Sequence, residues 1–270
     1  MSSIATNINA ARAEHAMTDA AHQVEKSTLQ LASGRRINSA ADDTAGMAIG
    51  SKLTAQSISL QRAMRNANDG VSMLQTADQA AGSMSQALVR MREIAVQAAN
   101  DTNSESDRLA LDNEFTQLRE HLHSVINSTQ WNGKKILDGS LSNVNLQIGA
   151  TSGDGHSVDL ADFRSLSALN AAGIDSRSDA LSALNAIDSS LASIDETRVK
   201  WGANMNRLVH AGDASSTVSL NLDDSRSKII DTDYAKATAD LAKAQILQMA
   251  GKAMLSQANQ APISVLRLLR

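Results

Sequence analysis

The sequence predicts a mainly α fold: a long antiparallel helical bundle of coiled-coil character, with a small β-hairpin region and with the N- and C-termini paired. Three observations predict it. Apolar or small residues recur four and three residues apart over long stretches at both ends, and an average step of 3.5 keeps side chains on one side of a helix. Aromatic residues make up 2% of the 270 residues, so Ala, Leu, Ile, Val and Met must fill the interior, which suits thin helical bundles better than a compact enzyme core. A single proline, Pro262, permits long uninterrupted helices.

The N-terminal stripe runs Ala13, Met17, Ala20, Val24, Ser27, Leu31 and breaks at the Gly, Ser and Asn cluster of residues 33–39, which reads as a loop. Its bulky apolar groups are few: Ile4, Ile8, Met17, Val24 and Leu31. Isolated helices are marginal in water, so this segment is expected to be poorly ordered alone and helical only against partners. Asp42 and Asp43 stand where a helix begins, carboxylates being favoured at its N-terminus, and a short helical segment is expected from Met47 to Leu60.

A long helix follows, with Ala67, Val71, Leu74, Ala81, Leu88, Met91, Ala95 and Ala98 on one side, ending at the turn-forming cluster of residues 100–104. A shorter helix carries Leu111, Phe115, Leu118, Leu122 and Val125 and stops near Thr129. Asn132-Gly133 is the strongest two-residue turn signal, and beyond it Val144, Leu146 and Ile148 alternate with Asn145 and Gln147, the period of a half-buried strand. One or two small hairpins are expected between Gly133 and about Ile174. Helical period returns with Ala180, Leu184, Ile187, Leu191, Ile194, Arg198, Trp201, Met205 and Leu208; Gly212 and the group Ser215-Ser216-Thr217 are expected to weaken it. The terminal stripe is Ile230, Tyr234, Ala237, Leu241, Ala244, Gln248, Gly251, Leu255, Ala258. Both terminal seams consist mostly of Ala, Ser, Gly and Gln, which lets helices approach closely but buries little.

Composition narrows the function classes. A net charge of −4 does not suggest nucleic-acid binding, and no apolar run is long enough to span a membrane. The absence of cysteine excludes disulfides and thiolate metal sites. The start has neither a basic nor an apolar signal region, which by itself would suggest the cytoplasm.

Several runs together resemble one family. They are residues 30–43 (Gln30 through Asp43), 65–70, 91–100, 131–139, 225–233, 245–248, 253–260 and 265–270, in this order along one chain. The chain resembles bacterial flagellin over almost its whole length, in a short form lacking the large variable outer domains, since only about 35 residues separate Gly139 from Ile174. The resemblance implies residues 1–42 with 231–270 as an inner core of terminal helices, disordered in the monomer. Residues 43–230 would form an outer core bearing the hairpin region, at about 131–174. It implies a structural subunit that polymerises into the flagellar filament for swimming. A hook–filament junction protein or an accessory minor flagellin is the alternative. Polymerisation would run through Val24, Leu31, Leu241, Leu255, Leu266 and Leu269.

The implied partners are further copies of the chain, the flagellar export chaperone, and cap and junction proteins. Export without cleavage would place the protein outside the cell, which replaces the cytoplasmic inference. No enzyme activity, no cofactor, no nucleic acid and no membrane insertion are implied. Arg90 and Glu114 match the family's Toll-like-receptor recognition residues, and Ile94 replaces a usual Leu, so residual and weakened recognition by a host receptor is implied. Without the resemblance, Arg90, Arg92 and Glu93 read as a solvated helix face.

The remaining constellations read as structure. His121 and His123 point to different sides of a helix, and His15 and His22 share a face with Asp19, which reads as a polar patch before a metal site. Gly149, Gly153 and Gly155 lack the Gly-Lys-Ser/Thr that a phosphate loop requires. The carboxylate pairs Asp42-Asp43 and Asp223-Asp224 read as helix-start and loop charges. A membrane-active helix protein would need basic polar faces and bulky anchors, which these Ala-rich stripes lack.

Overall fold

The structure is a computed structural model that describes residues 6–170 and 173–268, the side chains of 261–268 excepted. Within these residues five α-helices and two small hairpins follow in the order α1 (Ile8–Ser33), α2 (Thr44–Ala98), α3 (Glu105–Ser128), β1 (Gln130–Trp131), β2 (Lys134–Lys135), β3 (Asn143–Gln147), β4 (Gly155–Asp159), α4 (Arg177–Ile230) and α5 (Tyr234–Leu268). The chain divides into two units, Met1–Ala55 with Asn221–Arg270 and Gln56–Leu220, so that α2 and α4 contribute to both.

Each helix starts on a side chain that accepts from its unpaired N–H groups, as helix starts require. Asn7 caps α1 through the Ala10 N–H, and Asp43 caps α2 through Gly46. Ser104 and Asp107 form a capping box on α3, and Asp233 takes the N–H groups of Ala235 and Lys236 at the start of α5.

In the unit Gln56–Leu220, α2 and α4 run antiparallel. Ser57 meets Ser219 at 3.1 Å, Arg198 meets Asp78 at 2.7 Å, and Arg92 meets Asp188 at 2.7 Å. α3 folds back on α2, where Arg90 reaches Glu114 at 2.8 Å and Arg108 Nε donates to the Ala98 carbonyl. The core between them holds Leu74, Met84, Leu88, Met91, Phe115, Leu122, Ile126, Ile187 and Ile194, all buried.

The hairpins close one side of this core. β1 and β2 pair across Asn132 and Gly133, whose φ angles of 48° and 75° are the two positive values a tight two-residue hairpin demands. β3 and β4 pair with Val144 opposite Val158 and Leu146 opposite His156. Two 3-10 turns, Phe163–Ser165 and Ser167–Asn170, follow where strand period fades. Trp201 of α4 fixes the hairpin to the bundle: its indole N–H donates to the Asp159 carbonyl at 3.1 Å and its ring meets Phe163 edge-on at 5.9 Å.

Three expectations change. The segment Met47–Leu60 and the stripe from Ala67 are one helix of 55 residues, because no Gly or Pro lies between Leu60 and Ala67 to end it. Gly212 and Ser215 do not interrupt α4, which runs 54 residues; the Ser215 hydroxyl reaches the Ile148 carbonyl at 3.4 Å and Ser219 meets Ser57. Tyr234, placed on the terminal seam, is 55% exposed, and its phenol oxygen lies against Gly34.

Candidate assembly surface

α1 and α5 pack antiparallel within the terminal unit. Asn7 Nδ2 donates to the Ala258 carbonyl at 2.8 Å near one end, Gly251 lies against Met17, and Gly34 lies against Tyr234 at the other. The entry to this pair is tied by backbone. The N–H of Arg36 donates to the Ile230 carbonyl at 2.6 Å, and the N–H of Thr232 donates to Gly34 at 3.0 Å. Gly34 ends α1 at φ 69°, a conformation that glycine adopts without strain. Asp42 closes the adjoining turn. The N–H groups of Ser39 and Asn38 and the Lys26 ammonium hold its carboxyl down at about 2.

The seam itself is thin. Among the described side chains of the two helices only Ala20, Ser27, Ala237 and Ala244 are buried, and the Ser27 hydroxyl has no hydrogen-bond partner. Val24, Leu31, Leu241 and Leu255 sit half-buried along the same seam. Leu269 lies outside the described residues, as does the side chain of Leu266. Gly251 lets the two backbones approach: a Cβ there would lie 3.4 Å from the Met17 Cα.

Away from the seam, α5 exposes four bulky apolar groups among the Lys and Gln side chains. Ile246 is 61% exposed, Met249 62%, Met254 64% and Leu247 52%. Leu247 and Met254 face a groove of about 940 Å³ between the two helices, whose other walls include Ala16, Ala20 and Gly251 and whose edges carry Arg12, Asp19, Asp240 and Lys243. Bulky apolar groups exposed on more than one side of a helix mark surfaces for a partner, and the described part of α5 is covered on one side.

The residues named for receptor contact divide. Arg90 and Glu114 are exposed and paired, Arg90 also reaching Glu93 at 3.0 Å, and both carboxylates raise the guanidinium pKa. Ile94 is 1% exposed and faces the core, so its side chain offers no contact in the folded chain. α3 and α4 both pack on α2 at this level, which widens its buried face beyond the single stripe of the sequence reading. Among the described residues no group of three His, Cys, Asp or Glu side chains converges as metal ligands, and no helix is long and apolar enough to cross a membrane.

Residues 4–142 match the bacterial flagellin N-terminal helical region, and residues 184–269 match the bacterial flagellin C-terminal helical region. A flagellin of Halalkalibacterium halodurans is 42% identical over 267 residues, 98% of this chain and 98% of its own length. The chain belongs to the flagellin family. It is a structural subunit that polymerises into the flagellar filament, and the hook–filament junction reading is not favoured. The crystal structure of Bacillus cereus flagellin is 32% identical, with a TM-score of 0.53 over 56% of this chain and 88% of that one. The structure of a flagellar hook-associated protein from Vibrio parahaemolyticus matches 70% of this chain and all of its own at a TM-score of 0.62. At 19% identity it shares the fold alone.

Both flagellin regions include the thin terminal helices as well as much of the well-packed core, so family membership was legible in the motifs quoted above. The exposed Ile246, Met249 and Met254 were not singled out by sequence reasoning. Their signal was available: bulky apolar residues in α5 fall off the seam that the heptad spacing defines.

Proposed function

We propose that filament assembly works by completing the burial of the terminal helices. The supporting observation is α5, which exposes bulky apolar groups on more than one side and is covered by α1 on one. In this reading residues 1–42 with 231–270 form the inner core of the filament, and residues 43–230 the outer core. Val24, Leu31, Leu241 and Leu255 hold the α1–α5 seam. The same reading assigns Leu266 and Leu269 to polymerisation as well. A seam of four buried small side chains does little to offset the backbone entropy of about 60 helical residues, each costing roughly 1–2 kcal/mol to order. Neighbouring copies supply the missing contacts, so folding of the ends is coupled to assembly.

Deleting residues 251–270 tests this: the shortened chain is expected to form no filaments while its central unit keeps its helical circular dichroism. Filaments of ordinary length from it would contradict the proposal.

The same reading makes the mature subunit extracellular, delivered unfolded with the help of an export chaperone and placed between junction and cap proteins. It assigns no catalytic role. Recognition by a host Toll-like receptor would rest on Arg90 and Glu114, with Ile94 supporting the helix from beneath. A receptor-reporter assay with monomer is expected to respond weakly, and silence at every dose would remove the idea.

A further inference from the structure

α5 carries a second heptad row on the side opposite the α1 seam. Ala235, Ala239, Ala242, Ile246, Met249 and Ala253 follow one another four and three apart and share one face. All six are exposed, whereas Ala237 and Ala244 on the covered seam are 5% and 2% exposed. The second row has the make-up of the first, small residues interrupted by a few bulky ones.

The positions that flank such a row in a two-helix contact, and set partner choice, hold Lys236, Lys243 and Lys252. All three carry the same sign, so two α5 rows facing each other would repel. The complementary surface lies on α1. Ala11, Glu14, Thr18, Ala21, Glu25, Thr28 and Ala32 share a face beside the seam, at the same three-and-four spacing. Its only charges are Glu14 and Glu25.

Thr18 and Thr28 donate their hydroxyls to the Glu14 and Val24 carbonyls at 3.0 and 2.7 Å, so both are satisfied within their own helix. Small residues there leave room for Ile246 and Met249. Glu14 and Glu25 lie about 16 Å apart along α1 and Lys243 and Lys252 about 13 Å apart along α5, a difference within lysine reach. Within one copy the α1–α5 seam holds the two faces apart.

We infer that the Lys-flanked row of α5 in one copy docks on the Glu-bearing face of α1 in a second copy; the inference rests on the filament reading above. Row and face are different surfaces, so the contact is heterologous and repeats from copy to copy. On α1 itself the Glu25 carboxylate lies 4.0 Å from the His22 imidazole.

Seeded elongation by the full chain, followed by light scattering, tests it through charge exchange. The double variant Lys243→Glu with Lys252→Glu, and separately Glu14→Lys with Glu25→Lys, are each expected to elongate at least roughly tenfold more slowly than the unaltered chain, like charges now facing each other. The fourfold variant carrying both exchanges is expected to recover the unaltered rate, which excludes a folding defect as the cause of either loss. Double variants that elongate normally, or a fourfold variant that stays as slow as the doubles, would overturn the inference. Elongation by the unaltered chain reports on the filament reading separately, since it tests assembly without regard to which faces meet.

Discussion

Asp42 shows how one carboxylate organises the entry to the terminal pair. Two backbone N–H groups and Lys26, 3.2 Å away, hold its pKa down from 3.8 to about 2. A folded pKa below the unfolded one means that the group's contribution to stability is complete above the unfolded value, and is lost as the pH falls toward about 2. A carboxyl titration by nuclear magnetic resonance is expected to find Asp42 half-protonated near pH 2 in the folded chain; a midpoint at the ordinary 3.8 would show that the turn of residues 38–42 does not form. The same scale holds a contrast in packing. Trp201 and Phe163 are fully buried and the indole N–H is satisfied, whereas the seam between α1 and α5 buries Ser27 with its hydroxyl unpaired. An unpaired buried hydroxyl costs on the order of 1–3 kcal/mol; the central bundle carries one as well, at Ser85, but sets against it a core of Trp, Phe, Leu, Ile and Met side chains that the small-residue seam lacks.

At the scale of elements, the long helices are where the sequence was most and least readable. The seams of α1 and α5 are the residues that the heptad spacing named, Tyr234 excepted, because a helix packed against a single neighbour buries one narrow stripe. α2 was harder. The polar stretch Gln61, Arg62, Arg65, Asn66 hides the continuity between its two halves, since the buried steps there are only Ala63 and Ala67. Farther along, packing on two sides buries Met84 and Ile94 beside the expected stripe, and periodicity alone does not reveal a second neighbour. Ile136 and Leu137 are buried after a hairpin too short to show a period.

Gly212 illustrates the limit of propensity: the helix passes through it, and a Cβ built there meets nothing within 4 Å. Gly212→Ala is therefore expected to stabilise the monomer by about 0.5–1 kcal/mol, read as a raised urea midpoint, since alanine loses less backbone entropy on folding. A lowered midpoint would mean that α4 departs from helix at this position.

For the whole molecule, stability and function are assigned to different parts of the chain. Aromatic and large aliphatic side chains are concentrated in Gln56–Leu220, where they make a core independent of any partner. The terminal unit instead presents close-packed backbones, small seam residues and bulky apolar groups facing outward. The candidate site was legible as far as its helices and their seam, because spacing encodes which side of a helix meets its first neighbour. The outward rows were not, because in the proposed assembly what lies opposite them belongs to another copy.

The central claim is that α1 and α5 become firm helices only when neighbouring copies cover them. Backbone relaxation and chemical shifts of dilute, unassembled protein test it most directly. The account predicts dispersed, rigid signals from residues 56–220 and averaged, coil-like signals from residues 8–33 and 234–260. Rigid helical signals from both terminal segments in the isolated monomer would contradict it.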